Sequence, residues 1–269
     1  MEISRKKRVI IAILGLTVHS LASQPRELPE LKKIFDPYQI EGSILIYNQT
    51  NNEYSGYNLE RCYIAFCPAS TFKIPNTLIA LETGIATTET VFKWNGEKQA
   101  FSTWEKDLTI EEAFKISAVP VYQEIARRIG VDKMRYYTSL FNYGNLDIDA
   151  QNIDKFWLEG TSTITPYQQI YFLKQLYHLE LPISIESMKQ VKQMMQYEVG
   201  KNYTISGKTG WTIRQHKNIT WFVGYVETIN NVYFFATNVA SNEHTDLETF
   251  GQLRIQLTKE VLKELQIIN

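Results

Sequence analysis

Pro75 dictates how the stretch around it can fold. Between Thr71 and Thr83 the apolar residues Ile74, Leu78, Ile79 and Leu81 recur at helical spacing, and Gly84 stands where a helix C-terminal cap belongs. A proline is tolerated only in a first helical turn, whose amides have no acceptor within the helix. The helix therefore begins no earlier than about Ser70. Ser70 is thus at a helix N-terminus, with Lys73 about one turn later on the same face. A hydroxyl and an amine so placed are a nucleophile and a candidate base. A free lysine, with a pKa of about 10.4, is protonated at neutral pH and is a poor base in that form. The helix N-terminus repels a nearby cation and apolar neighbours such as Phe72 desolvate it, so both favour the neutral amine. A neutral, buried amine can take up carbon dioxide as a carbamate. Ser-x-x-Lys also occurs by chance in a chain of this size, so the pair needs support from elsewhere.

The 269 residues, 44% hydrophobic and 13% aromatic, suffice for one large domain or two lobes with a substantial core. Arg5, Lys6, Lys7 and Arg8 precede a short apolar run, Val9 to Val18, and then Ser20-Leu21-Ala22. That order is a secretory leader, too short to span a bilayer, with cleavage expected near Ala22. Export to the periplasm follows, without stable membrane insertion. The formal net charge of −1 becomes −4 once the leader's four basic residues and Glu2 are removed, so nothing attracts nucleic acid. Export permits a disulfide between the two cysteines, Cys62 and Cys67, but so small a loop is geometrically demanding, and spacing decides neither way. His19, His178, His216 and His244 lack zinc spacing, and no metal site is expected.

Along the mature chain, Ile40 to Asn48 and Tyr54 to Tyr57 read as strands around a turn-rich segment. From Thr88 to about Val199 the chain turns helical and loop-rich, with helices expected over Ile110 to Phe114, Val121 to Ile129, Pro166 to His178 and Ile185 to Met195. Thr204 to Ser206, Ile219 to Glu227 and Val232 to Ala240 return to strand character, the last two as a hairpin over Ile229-Asn230-Asn231. Leu253, Leu257, Val261 and Leu265 mark a closing amphipathic helix. Strands at both ends with helices between them predict an α+β architecture: one antiparallel sheet built from about 23–66 and 200–269, and a helical lobe over about 67–199. The site belongs where the lobes meet.

Other short stretches carry chemistry, each with a plainer reading beside it. Ser117-Ala118-Val119 precedes a helix, where serine is commonly a cap. Lys208-Thr209-Gly210, between two strand-like runs, offers a cation and a hydroxyl to an anion while the glycine admits close approach; alone it is more often a solvated turn. Tyr143-Gly144-Asn145 is a turn by composition. Trp157, in a loop of heavy apolar content, is a core aromatic or, as a donor-only indole, a partner for a carbamate. Arg254 is a surface cation or a carboxylate receptor.

Taken in order, these pieces resemble the penicillin-recognising serine enzymes, and more closely the class D serine β-lactamases, the oxacillinases. The resemblance runs through Pro68 to Pro75, Phe92 to Gly96, Ser117 to Val121, Tyr143 to Asn145, Phe156 to Gly160 and Lys208 to Gly210. Class A enzymes carry Ser-Asp-Asn where this chain has Ser117-Ala118-Val119. The resemblance implies the β-lactamase and penicillin-binding transpeptidase fold, an α/β (α+β) sheet flanked by helices with a helical lobe. It implies a hydrolase of β-lactam antibiotics, monomeric or homodimeric, with no cofactor beyond CO2 or bicarbonate for carbamylating Lys73. Ser70 would form an acyl-enzyme, with carbamylated Lys73 as base and Trp157 holding the carbamate. Val119, Phe72 and Leu158 would form the apolar wall around Lys73. The amides of Ser70 and Trp211 would form the oxyanion hole. Ser117 and Lys208 would relay a proton to the leaving nitrogen, and Thr209, beside Gly210, and Arg254 would bind the drug's carboxylate. Trp211 departs from the smaller aromatic frequent there, and the cysteine pair beside Ser70 has no place in the pattern. The alternatives are a β-lactam sensor that stays acylated and a cell-wall transpeptidase or carboxypeptidase.

Overall fold

Phe234 to Ala240 are buried without a break, which a strand achieves only when both faces of its sheet are covered. The computed structural model describes residues 24–214, 216–242 and 244–269; the expected leader, 1–22, lies outside them. The strands are β1 (Arg26–Glu27), β2 (Glu41–Asn48), β3 (Glu53–Tyr57), β4 (Val91–Phe92), β5 (Leu108–Thr109), β6 (Gln196–Val199), β7 (Tyr203–Arg214), β8 (Lys217–Thr228) and β9 (Val232–Ala240). Seven of them form one sheet in the order β1-β3-β2-β9-β8-β7-β6, and β4 pairs with β5 alone. Every neighbouring pair in the large sheet is antiparallel except β1 with β3, so the sheet is mixed rather than antiparallel throughout. The parallel pair arises because β1 is a two-residue edge strand separated from β3 by a helical segment and the strand Glu41–Asn48 rather than by a hairpin turn.

The helices are α1 (Lys32–Phe35), α2 (Leu59–Cys62), α3 (Lys73–Glu82), α4 (Ile110–Lys115), α5 (Val119–Ile129), α6 (Val131–Leu140), α7 (Pro166–Tyr177), α8 (Ile185–Met194) and α9 (Leu247–Glu264). Successive strand residues point to opposite faces, and here the two faces feed two cores. Ile44, Ile46, Phe222, Phe235 and Val239 pack with Phe250, Leu257 and Val261 of α9. Leu45, Tyr47, Trp221, Val223 and Phe234 pack with the helical lobe built on α3. Capping boxes start α4 (Thr109 with Glu112) and α7 (Thr165 with Gln168, Pro166 at the first position), as their sequences require. Among the described residues no helix is long and apolar enough to cross a membrane.

Among the elements that differ from the sequence-based expectation, β7, α6 and β6 bear on the site. β7 runs through Lys208-Thr209-Gly210, which the sequence leaves between shorter strands; residues 205–208 are all buried and Gly207 and Gly210 carry no side chain, so the period-two pattern that would reveal one long strand is interrupted. α6 carries Asp132, Lys133 and Arg135 among its apolar residues and is cut from α5 by Gly130 at φ +78°. β6 belongs to the sheet, although its residues fall in the span expected to be helical.

Gly224 lies at the centre of β8, where an added Cβ would strike the Ser206 carbonyl and come within 2.7 Å of Gly207 Cα. Gly224→Ala is expected to destabilise by about 1–3 kcal/mol, the usual cost of overpacking a filled interior. Urea unfolding would show a lower midpoint at unchanged slope.

Candidate active site

Ser70 sits on a 3-10 turn, Ala69–Phe72, that leads into α3, so Pro75 falls in the helix's first turn as its chemistry demands. Ala69 has φ +49°, a left-handed backbone that costs a residue with a Cβ about 1–2 kcal/mol. The turn is held from beneath. Thr71 donates to the Pro68 carbonyl at 2.7 Å, and Gln169 of α7 donates to Thr71 Oγ1 at 2.9 Å. The buried Tyr143 hydroxyl lies 3.3 Å from the same oxygen, so Tyr143 is a strut as well as part of a turn. From above, β7 presses on the turn through Gly210, where a Cβ would stand 3.2 Å from the Pro68 carbonyl and from Thr71 Cγ2.

Lys73 is fully buried, and its Nζ donates to Ser70 Oγ at 2.8 Å. Burial first, and the Lys208 cation second, hold its amine well below the usual lysine range. The Tyr122 ring lies 5.1 Å from Nζ. Phe72 stacks on the fully buried Trp157 at 5.6 Å. The Trp157 Nε1–H, sealed from solvent, has no hydrogen-bond partner among the described residues. A buried donor left so costs about 1–3 kcal/mol, which marks the position as one that fits a bound acceptor. The loop carrying Trp157 is fastened to β7: the Leu158 carbonyl accepts from Thr212 Oγ1 at 2.9 Å and from Arg214. Cys62 and Cys67 are free, buried thiols, and Cys67 donates to the Trp157 carbonyl at 3.1 Å.

On the opposite wall, Lys208 Nζ donates to Ser117 Oγ at 3.1 Å and to the Thr209 carbonyl at 3.2 Å. Ser117 has φ +60° in the bend between α4 and α5, so it is not a helix cap. Burial, reinforced by the Arg254 cation, brings Lys208 down to about 7. An amine with that pKa can both give and take a proton near neutrality.

The backbone of β7 supplies further donors. Gly207 sends its amide outward to the Met195 carbonyl at 2.8 Å, away from β8. In an antiparallel ladder the outward-facing residues alternate, so Thr209 and Trp211 also point their N–H and C=O groups outward. β6 pairs only as far as Gln196 with Ser206, which leaves that edge open from Thr209 onward. Side chains divide by parity as well: Lys208, Gly210 and Thr212 face the nucleophile turn and its loop, while Trp211 lies over α9, its ring edge 2.7 Å from where a Gly251 Cβ would be. Trp211 donates through Nε1 to Asn218 Oδ1 at 2.8 Å. Arg254 lies beside that indole, 5.9 Å from its ring. Its Nε and Nη1 are shielded from solvent and without partners among the described residues, and burial lowers it to about 10.

One cleft thus gathers Ser70, Ser117, Val119, Thr209, Gly210, Trp211 and Arg254. Lys73, Lys208 and Trp157 are reached through hydrogen bonds or stacking from residues at its floor. Val119 lines the mouth, and Leu158 contributes its carbonyl to the β7 clamp. Sequence reasoning missed the outer rim of Phe101, Thr103, Trp104 and Ile116. Phe101 and Trp104 meet edge to face at 4.8 Å, and Trp104 Nε1 donates to the Ile116 carbonyl at 3.3 Å. Two aromatics three residues apart in a loop were the available signal. It carries no periodicity to separate a rim from a local cluster.

Residues 34–263 match the family described as the penicillin binding protein transpeptidase domain. The chain is 41% identical to Beta-lactamase OXA-48 of Klebsiella pneumoniae, over 97% of this chain and 96% of that protein. It is 39% identical to Beta-lactamase OXA-10 of Pseudomonas aeruginosa, over 89% and 90%. Among solved structures, the class D β-lactamase YbXI from Nostoc matches with a TM-score of 0.83 at 44% identity, covering 88% of this chain and 98% of that one. The class D β-lactamase of Sebaldella termitidis matches with a TM-score of 0.86 at 38% identity, covering 91% and 100%.

Lys208 carries its lowered pKa as a stability cost with a defined pH window. The unfolded lysine keeps its ordinary affinity for the proton, so between about pH 7 and about pH 10.5 the unfolded state binds more protons and wild-type stability rises with pH. Lys208→Met is expected to unfold at a higher temperature than wild type below about pH 7, with the gap closing toward about pH 10.5. Thermal unfolding across that range measures it.

Proposed function

Because the chain belongs to the class D β-lactamases, we propose that it opens the β-lactam ring of penicillin-type antibiotics through an acyl-enzyme on Ser70. The observation that carries this reading is the neutral-leaning Lys73 amine, buried and 2.8 Å from the Ser70 hydroxyl. In acylation, Ser70 Oγ bonds to the lactam carbonyl carbon, the ring C–N bond breaks, and the proton lost by Ser70 is replaced by one delivered to the ring nitrogen. Ser117 and Lys208, in hydrogen-bond contact and with Lys208 titrating near neutrality, deliver that proton. The Ser70 and Trp211 amides stabilise the carbonyl oxygen as it gains charge, where losing one donor costs roughly 3 kcal/mol. Thr209 and the Arg254 nitrogens that have no partner among the described residues bind the substrate carboxylate, with which a guanidinium pairs through two parallel hydrogen bonds. Val119, Phe72 and Leu158 keep water from Lys73.

Lys73 and Trp157 also fit a carbamate. An uncharged amine adds CO2 and releases a proton, and the unpaired Trp157 Nε1–H is a donor suited to hold the oxygen gained. Such a carboxylate supplies a general base both to Ser70 and to the hydrolytic water. Export to the periplasm by the leader over residues 1–22 completes the reading, since that places the protein where cell-wall-directed antibiotics act.

Purified mature protein is expected to turn over a chromogenic cephalosporin continuously. A single stoichiometric burst followed by silence would instead indicate a sensor that stays acylated, and Ser70→Ala should abolish both. Trp157→Phe, which keeps the stack on Phe72 and removes the donor, is expected to slow deacylation by roughly 10–100-fold, more than acylation. Bicarbonate should restore part of the loss, and 13C-bicarbonate NMR should show a weaker lysine carbamate signal than in wild type. Unchanged acyl-enzyme lifetime in the variant would contradict the assignment.

A further inference from the structure

We propose that the cavity between the end of α4 and the junction of α8 with β6 is a second substrate subsite, which takes a flat apolar substituent on the carboxylate-bearing ring of the β-lactam. The proposal rests on the hydrolase reading above and names a further part of the substrate that the protein grips.

The cavity has a floor of Phe114, Met194 and Met195, all buried, and a rim of Lys115, Gln196 and Tyr197. Methionine and aromatic side chains on one surface adapt to flat apolar groups and gain from sulfur–ring contact. The rim cation Lys115 pairs with Glu111 at 2.5 Å, and the other polar lining groups, Gln196, Lys208 and Thr209, lie off the floor, so the apolar character of the cavity is that of its floor.

Its position ties it to the cleft. Thr209 lines both spaces, and Gly207 and Lys208, which precede it on β7, line the cavity. The cleft follows the open edge of β7 from Trp211 toward Thr209. A substrate with its reacting carbonyl between Ser70 and the Trp211 amide, and its carboxylate at Thr209 and Arg254, therefore directs the neighbouring ring substituent past Thr209. That direction ends in the cavity. The Tyr197 side chain is a neighbour of the Arg254 guanidinium, so the cavity rim and the carboxylate receptor adjoin.

Tyr197 is placed there by a local device. The β6–β7 register shifts between Gln196 and Glu198, leaving Tyr197 as the extra residue of a bulge, a feature that re-aims a side chain. The ring is then supported by Phe222 at 5.2 Å while half of it stays open to solvent.

The test uses two cephalosporins with the same acylamino side chain, one with methyl and one with an arylvinyl group at C3, in steady-state kinetics of the mature protein. For Tyr197→Ala, KM for the arylvinyl substrate should rise about tenfold, the discrimination that a modest loss of apolar contact produces, while kcat stays within about twofold. The methyl substrate should keep both constants within about twofold, and Tyr197→Phe should behave as wild type with both. An equal loss with both substrates would assign Tyr197 a structural role and overturn the subsite, as would no change with either. Turnover of neither substrate by the wild-type protein would overturn the hydrolase reading and the subsite with it.

Discussion

Exclusion of water from the Lys73 amine is the condition that the rest of this structure serves. Every residue of α3 from Lys73 to Ala80 is buried, so the helix that presents the amine has no wet face to which the side chain could escape. The cations nearby are arranged in series: Arg254 lowers the proton affinity of Lys208, and Lys208 lowers that of Lys73. Each positive group makes the next one inward harder to protonate, in a medium where such effects are stronger than in water. A carboxylate arriving at Arg254 would offset the first member of the series and favour the protonated form of Lys208. Anchoring a substrate would thereby prepare the proton that its ring nitrogen needs.

This arrangement is costly for the fold. Two buried lysines, a buried indole N–H without a partner among the described residues, and left-handed backbone at Ala69 and Ser117 all oppose folding. They are tolerated because two cores, one on each face of the sheet, are fastened to the same strands. β7 carries much of that burden. It presses on the Ser70 turn at Gly210, holds the Trp157 loop through Thr212 and Arg214, and supplies Lys208, so one strand sets the relative positions of three parts of the candidate site.

Much of this was legible in the residues. Pro75 placed Ser70 at a helix entrance because proline chemistry is local, and the Val232 to Ala240 strand showed itself by its aromatic and β-branched residues. The cleft members came from short motifs whose spacing on helix or strand constrains where side chains go. What escaped depends on long-range contact. The parallel docking of β1, the open edge of β7 and the bulge at Tyr197 follow from pairing partners distant in the chain, and no local pattern encodes them. Tyr143 read as a turn because composition reports backbone preference, whereas its role comes from Thr71 and Gln169, far away in sequence. The rim of Phe101 and Trp104 was silent for the same reason.

The unpaired edge of β7 has a meaning beyond catalysis. A row of free backbone donors and acceptors invites strands from other molecules, and most folds blunt such rows with charge, bulges or cover. In the mechanism proposed above substrate lies along this row, which therefore has to stay bare. The loop clamped through the Leu158 carbonyl, the Trp211 indole laid over Gly251 and the Phe101–Trp104 rim stand around this row, where a neighbouring strand would have to approach. The walls that give the cleft its shape are therefore also the protein's guard against polymerising through its own active site.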